Sequence, residues 1–405
     1  MALIVQKYGG TSVGGIDRIK HVANHIKATV AQGHNVVVVV SAMGDQTDEL
    51  LGLAHSISNR PPRRELDMLL TSGERIAMAL MSIALNEIGV KAVSLTGSQS
   101  GIITDTGHGN ARIANITGYR IQENLNLGAV VIVAGFQGVS QTTKEITTLG
   151  RGGSDLSAIA LAGYLKADRC QLYKDVDAVY SCDPRIVSKA VKHSDLEWDT
   201  MTRMAWCGAN ILHPRGANLA QKFNLPIEIK SSFDLSLTGT TIKGIAEMEK
   251  FGVKAITHKE KMAILSASLK ADKGTFSAIN ELRCQLWELG EAPQIQSQTI
   301  NGSCVDLLWS VAASNVSEAL KVLTPHKEGS SSIDVKECGI ISIVGSGFWQ
   351  NPEVAKDISR IIDEDKYLFF EIKNDIITIA VKSEKNSESL KKIISDLHEQ
   401  FFESK

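Results

Sequence analysis

Apolar residues along the first 240 positions alternate between two textures. Short runs rich in Val and Ile, each followed by Gly, Ser, Thr or Asp, predict strands at Leu3 to Tyr8, Asn35 to Ser41, Ala92 to Thr96, Ala129 to Ala134 and Cys170 to Lys174. Between them, Ile16 to Ala31 and Glu65 to Ile88 carry apolar residues near helical spacing. Unbroken apolar strands separated by helices predict an α/β fold with a buried, largely parallel sheet. Ligands of such sheets sit at the carboxyl edge, where strands open into small polar residues.

Near residue 245 the Gly-rich loops give way to shorter segments with more Lys and Glu, which places a domain boundary at about Ile242 to Val253. Beyond it the order strand, loop, helix, two strands, helix occurs twice. The first copy reads Met262 to Leu269, Thr275 to Leu289, two strands around Asn301-Gly302, and Asn315 to Leu323. The second starts at Ile340, with a loop holding Gly345 and Gly347, a helix from Pro352, two strands around Asn374-Asp375 and a last helix from Lys385. In that last helix Leu390, Ile393, Ile394, Leu397 and Phe401 line one face. A spacing of roughly 76 residues between copies predicts a duplicated regulatory module.

Charge narrows the function. The 405 residues carry 43 basic and 45 acidic side chains, a formal charge of −2, which gives no field for attracting nucleic acid. The longest apolar stretches, Ile76 to Leu85 and Ala129 to Phe136, fall short of the roughly 18 residues of a spanning helix, so no membrane partner is expected. Six cysteines lie scattered without a C-x-x-C pair, and the N-terminus lacks a basic leader, pointing to a reducing, cytoplasmic setting.

Three segments look chemical. Lys7-Tyr8-Gly9-Gly10-Thr11-Ser12-Val13-Gly14 ends the first strand, where glycines let backbone N–H groups approach an anion and a lysine adds a compact charge. Gly150-Arg151-Gly152-Gly153-Ser154-Asp155 is a second such turn, with an arginine able to grip a carboxylate or phosphate and an aspartate able to orient a lysine or a metal-bound water. Lys174 to Arg185 mixes acids, an aromatic and a proline-fixed turn, suited to a nucleotide or to an ordinary capped turn. Two anion-binding turns on one sheet suit transfer between anionic partners. Smaller signals are Ser41 and Thr47 after the second strand, and Thr71-Ser72-Gly73-Glu74, read as opening a helix. His21 and His25, four apart without a third ligand, read as surface histidines.

In this order, Lys7 to Ser12, Val38 to Met43, Thr71 to Glu74, Gly135-Phe136-Gln137-Gly138, Gly150 to Asp155 and Asp175 to Arg185 resemble the motif set of the aspartokinase family, short monofunctional form. The resemblance implies an amino acid kinase fold at residues 1–244, a largely parallel sheet between helical layers, and two small α+β ACT-like (βαββαβ) domains at 253–330 and 335–405, whose strands can be exchanged. It implies transfer of the ATP γ-phosphoryl group to the side-chain carboxylate of L-aspartate, with Mg2+ held mostly by the nucleotide and no protein metal site. By the same resemblance, Lys7 stabilises the moving phosphoryl group and Asp155 organises that lysine, while Gly9, Gly10 and Ser41 line the phosphates. Arg151 binds the α-carboxylate of aspartate and Glu74 its ammonium, with Thr47 and Ser154 adding hydrogen bonds. Lys174, Asp175, Tyr180, Asp183 and Arg185 surround the nucleotide. The ACT-like pair implies an amino-acid effector, lysine or threonine, and a homo-oligomer joined through these domains.

The chain departs from the family at Ala178, usually Gly, and at Asn210, usually Lys before Ile211-Leu212-His213-Pro214. These two positions favour the competing reading, a catalytically weak kinase homologue that senses amino acids. A third reading is another amino acid kinase acting on a carboxylate or carbamate. Intact Lys7, Glu74, Arg151 and Asp155 favour aspartate kinase.

Overall fold

The computed structural model describes residues 1–244, 252–288, 295–327, 333–348, 352–363, 366–382 and 388–403. Chain contacts divide it into two units, residues 1–179, 192–202 and 211–245, and residues 180–191, 203–210 and 246–405. The expected boundary at Ile242 to Val253 falls largely on residues outside the described set. Two excursions of the first half, 180–191 and 203–210, belong to the second unit, which composition gives no sign of.

The first unit opens with β1 (Leu3–Tyr8), α1 (Ile16–Ala31), β2 (Asn35–Val40), α2 (Gln46–Ile57), α3 (Arg63–Glu87) and β3 (Ala92–Leu95). It continues with β4 (Ile102–Thr104), β5 (Ile113–Ile116), α4 (Tyr119–Asn126), β6 (Val130–Ala134), β7 (Gln137–Ser140), β8 (Ile146–Thr148), α5 (Gly153–Tyr164) and β9 (Arg169–Lys174). After β10 (Asp195–Glu197) come α6 (Trp198–Trp206), whose last residues fall in the other unit, then α7 (Pro214–Phe223), β11 (Ile227–Ser231) and β12 (Thr240–Lys243).

Eight strands form one sheet in the order β10-β12-β11-β9-β1-β2-β6-β3, and only the β11-β12 pairing is antiparallel. A smaller sheet runs β5-β4-β7-β8. Strand alternation assigns the two faces. Tyr8, Val36, Val38, Val40, Ile132 and Tyr173 pack with Ile19, Val22 and Ile26 of α1 and Ala77, Met81 and Leu85 of α3. Each large apolar side chain fully buried there contributes about 1.5–3 kcal/mol. The intervening residues, among them Lys7, Leu172 and Lys174, face the other way, where α5 packs against β1, β2 and β9.

The structure corrects two readings. Thr71 to Glu74 lie in the middle of α3 and open no helix. Thr71 and Ser72 donate their hydroxyls to the Met68 and Leu69 carbonyls, at 3.2 and 2.6 Å, and so sit inside the helix without capping it. Gly73 is there for space, since a Cβ would lie 2.7 Å from the Ala42 Cβ. His25, read as a surface residue, packs edge-on against Tyr8 and Tyr173 and reaches the Tyr8 hydroxyl at 2.8 Å. Helix α3 is long and apolar enough by length and composition to cross a bilayer. It is nevertheless a core helix, with Asp67 and Glu74 on its buried face.

The second unit contains β13 (Gly252–Lys270), α8 (Lys273–Glu288), β14 (Gln296–Asn301), β15 (Cys304–Ala312), α9 (Val316–Leu323), β16 (Asp334–Ser346), α10 (Glu353–Ile361), β17 (Tyr367–Lys373), β18 (Ile376–Lys382) and α11 (Glu388–His398). The strand-helix-strand-strand-helix order recurs as the pattern indicates. The expected start of the last helix, Lys385, lies outside the described residues. The two copies share one antiparallel sheet, β14-β15-β13-β16-β18-β17. Long β13 serves both cores: Ile256 packs with Ile341, Ile377 and Leu397, whereas Leu265 packs with Leu282, Trp309 and Leu323. Gly345, expected in a loop, is the penultimate residue of β16.

Candidate active site

At the carboxyl edge of the large sheet, β1, β2, β6 and β9 end side by side. Ladder bonds continue into the loops, with Gly9 N donating to Tyr173 O, Ser41 N to Tyr8 O and Gly135 N to Val40 O. Those bonds carry the sheet's hydrogen bonding into the first residues of the loops. Gly10 closes tightly on the β2–α2 loop, since a Cβ there would lie 3.0 Å from both the Ala42 and Gly44 carbonyls. A Cβ on Gly9 would fill the space 3.5 Å from the Lys7 ammonium.

Asp155 lies in the first turn of α5, on the face covering β1 and β9. Its Oδ1 is 2.7 Å from Lys7 Nζ, and its Oδ2 accepts from Lys174 Nζ at 2.6 Å. Lys7 is 6% and Asp155 4% exposed. Burial by itself would raise the Asp155 pKa, but the charges of Lys174 and Lys7 outweigh it and hold the carboxyl well below its usual range. Burial lowers the Lys7 pKa, and Asp155 opposes that shift. One carboxylate between two ammonium groups leaves a net positive charge beside a cradle of glycines, which suits a polyphosphate.

Glu74 is 3% exposed. Its Oε1 accepts from Ala42 N at 3.1 Å, while its buried Oε2 has no hydrogen-bond partner. Burial pushes the carboxyl up to about 7, against the pull of its hydrogen bonds and of the Lys7 charge. Such an orphaned oxygen is suited to a cationic ligand group. The Ser12 hydroxyl and Gln46 Oε1 are also buried and unpartnered, the latter 3.3 Å from where a Gly73 Cβ would stand.

The loop before α5 is shaped by left-handed glycines, Gly150 at φ 78° and Gly152 at φ 71°. Arg151 between them is exposed, and Ser154 is buried with its Cβ 2.8 Å from where a Gly135 Cβ would be. Among the described residues no three His, Cys, Asp or Glu side chains cluster as a metal site, and both Asp155 oxygens already face ammonium groups. The residues therefore do not fit a protein-held Mg2+.

The amino acid kinase family profile matches residues 2–231. An aspartokinase of Geobacillus stearothermophilus is 42% identical, covering 99% of this chain and 97% of its own length. Aspartokinase 2 of Bacillus subtilis strain 168 is 38% identical, covering 100% and 99%. The chain belongs to the aspartokinase family. E. coli aspartokinase III, solved with aspartate and ADP in its R-state, is similar in fold, with a TM-score of 0.81, 22% identity and coverage of 99% of this chain and 100% of that one.

Within this aspartokinase-family fold, the structure brings together Lys7, Gly9, Gly10, Asp155 and Lys174, with Glu74 close enough to feel the Lys7 charge. Asp175 is exposed and acts on Lys7 through its charge. Ser41 follows the last residue of β2, one position beyond the expected strand's observed end, and Thr47 stands in the first turn of α2. Tyr180, Asp183 and Arg185 belong to the second unit. There Arg185 grips Asp183 through two nitrogens, at 2.7–3.2 Å, and holds its carboxyl low. Asn210 is exposed in the same unit, and Ala178 is buried in the first. Sequence reading passed over Ser12, Gln46, Asp67, His108 and Arg215. Asp67 is 1% exposed and accepts from Thr148 Oγ1 and Gly109 N and pairs with His108 Nδ1, at 2.6 to 3.2 Å. Of these, Ser12 lies within a motif already marked.

Proposed function

We propose that this chain is an aspartate kinase, transferring the γ-phosphoryl group of ATP to the side-chain carboxylate of L-aspartate to give 4-phospho-L-aspartate, the first step toward lysine, threonine and methionine. The observation that carries the reading is the Lys7–Asp155–Lys174 clasp at the glycine cradle, with the orphaned Glu74 oxygen nearby.

ATP supplies the phosphoryl group, with Mg2+ as its counter-ion. A side-chain carboxylate oxygen of aspartate forms the new P–O bond as the bond from the γ-phosphorus to the β,γ-bridging oxygen breaks, and ADP carries away the electron pair. The nucleophile is already ionised, so no general base is needed. Asp155, held ionised by two lysines, has no proton to exchange near neutral pH; it keeps Lys7 and Lys174 aimed at the phosphates. Lys7 neutralises charge on the moving group, and Gly9, Gly10 and Ser41 line the phosphates. Glu74 takes the substrate ammonium on its unpartnered oxygen, Arg151 grips the α-carboxylate, and Thr47 and Ser154 add hydrogen bonds, leaving the side-chain carboxylate to attack. Asp175 completes the nucleotide side within the first unit.

The paired C-terminal repeats receive an amino-acid effector, lysine or threonine. Strands β14 and β17 end the shared sheet, and β14 is exposed throughout, which supports a homo-oligomer joined along such edges. Six scattered cysteines without a C-x-x-C pair accord with a cytoplasmic location. The test is to incubate the protein with ATP, magnesium and acceptor and to trap acyl phosphate with hydroxylamine. Hydroxamate with aspartate, and none with glutamate or N-acetylglutamate, is expected. Hydroxamate from another acceptor alone, or none from folded protein that binds nucleotide, overturns the reading in favour of a different kinase or an amino-acid sensor.

A further inference from the structure

Little within the Gly150–Gly153 turn holds it in shape. Gly150 and Gly152 are left-handed, its internal bond is Gly153 N to Gly150 O at 2.9 Å, and no partner of the exposed Arg151 occurs among the described residues. Its form is set from outside, by the start of α7. The His213 ring and Cβ press on Gly152, where an added Cβ would come within 2.9 Å, and His213 Nδ1 accepts from Arg215 N at 3.2 Å.

Arg215 then ties down the other end. Its Nη1 donates to Leu149 O at 3.1 Å, one residue before the turn, and to Asn110 Oδ1 at 2.9 Å, while Nη2 donates to Ala111 O at 2.9 Å. The Asn110 amide so held lies against the turn, with its Oδ1 3.0 Å from where a Gly150 Cβ would be. Asp67 of α3 fixes the neighbouring residues by accepting from Gly109 N at 3.2 Å and pairing with His108 Nδ1 at 2.7 Å. One guanidinium thus joins α7, the end of β8 and the 109–111 loop around the turn that carries Arg151.

We propose that Arg215 is a positioning residue for acceptor recognition: it clamps Leu149, Asn110 and Ala111 around the Gly150–Gly153 turn so that Arg151 presents its paired donors to the acceptor's α-carboxylate. The proposal rests on the assignment of Arg151 above. A planar fork suits this because its two terminal nitrogens share three acceptors, whereas the donors of a lysine ammonium radiate from a single nitrogen.

The test compares Arg215→Lys, Asn110→Ala, Arg151→Ala and the Arg151→Ala/Arg215→Lys double variant in full-length protein, reading KM for aspartate, KM for ATP, kcat and the melting temperature. Arg215→Lys is expected to raise KM for aspartate roughly tenfold, the worth of one lost bond from a charged donor, with kcat and KM for ATP little changed. Asn110→Ala moves the same constant the same way. In the double variant the rise does not exceed that of Arg151→Ala, because the clamp acts through Arg151. A wild-type KM for aspartate in Arg215→Lys, a multiplicative rise in the double variant, or a joint loss of kcat, both KM values and melting temperature overturns the proposal. If Arg151→Ala itself keeps a wild-type KM, the assignment of Arg151 fails and the clamp's stated role fails with it. If Arg151→Ala raises KM while Arg215→Lys does not, the clamp alone fails.

Discussion

Lys7 and Asp155 meet at 2.7 Å although 148 positions separate them in the chain, one at the end of the first strand and the other in the first turn of α5. Each is almost fully buried, and Lys174 closes on the second Asp155 oxygen. Two ammonium groups share one carboxylate, so a phosphate brought to them meets an uncompensated positive charge.

Asp155→Asn leaves those two lysines facing a neutral amide. Removing one partner from a buried ion cluster costs about 3–5 kcal/mol, and kcat falls with it because Lys7 is no longer aimed. Stability runs with pH in a defined direction: the native pKa is depressed, so the contribution is full above the ordinary carboxylate pKa and is lost as pH falls toward the native one. Denaturant titrations at pH 3 and pH 7 check this. The gap between wild type and Asp155→Asn narrows at acid pH.

The proposed role of Glu74 predicts a pH signature in aspartate binding. Its carboxyl titrates near 7 in the protein and must be ionised to receive an ammonium group. KM for aspartate therefore falls as pH rises from 6 to 8, whereas KM for ATP does not follow that curve. Glu74→Gln flattens the dependence and raises KM for aspartate. At pH 8 the same variant melts higher than wild type, by the equivalent of about 1–2 kcal/mol, because a raised native pKa means that ionised Glu74 opposes folding above its unfolded pKa.

Gly73→Ala tests the close approach of α3 to the β2–α2 loop. The added methyl carbon would stand 2.7 Å from the Ala42 Cβ, with Glu74 one residue on and bonded to Ala42 N. Better helix propensity does not compensate for such a clash, and about 1–3 kcal/mol of stability is lost. KM for aspartate rises as Glu74 shifts. Unchanged melting and unchanged KM refute this account.

His25 stores an acid sensitivity where α1 packs against Tyr8 and Tyr173. Burial, then the Lys230 and His21 charges, hold its pKa at about 4. The unfolded chain takes up this proton near pH 6.5 and the native one only near 4, so stability declines as pH falls between those values. His25→Gln shows a shallower decline over the same window in thermal melts.

Legibility from the sequence followed the range of the forces involved. Helix α1 and strand β1 form over the residues that the pattern marks, because periodic burial of apolar side chains is a local property. The glycine turns at 9–10 and 150–153 were also legible, since composition shows where backbone can approach a ligand. Thr71 to Glu74 misled, because a Ser-x-Glu string reads alike at a cap and inside a helix, and only the Ala42 contact explains Gly73. The contacts of Asp67 and Arg215 were invisible in the sequence: their partners lie 41 and 105 positions away, at His108 and Asn110.

The sequence by itself determined the layered α/β half, the repeated C-terminal module and the charged residues at the strand ends, because periodicity, turn chemistry and motif order are written along the chain. Only the tertiary structure decided that one carboxylate holds two lysines, that a Glu74 oxygen is left without a partner, that Arg215 reaches the Leu149, Asn110 and Ala111 oxygens beside the turn carrying Arg151, and that residues 180–191 join the C-terminal unit. Those outcomes depend on which distant surfaces exclude water from each other, and a linear pattern carries no record of that.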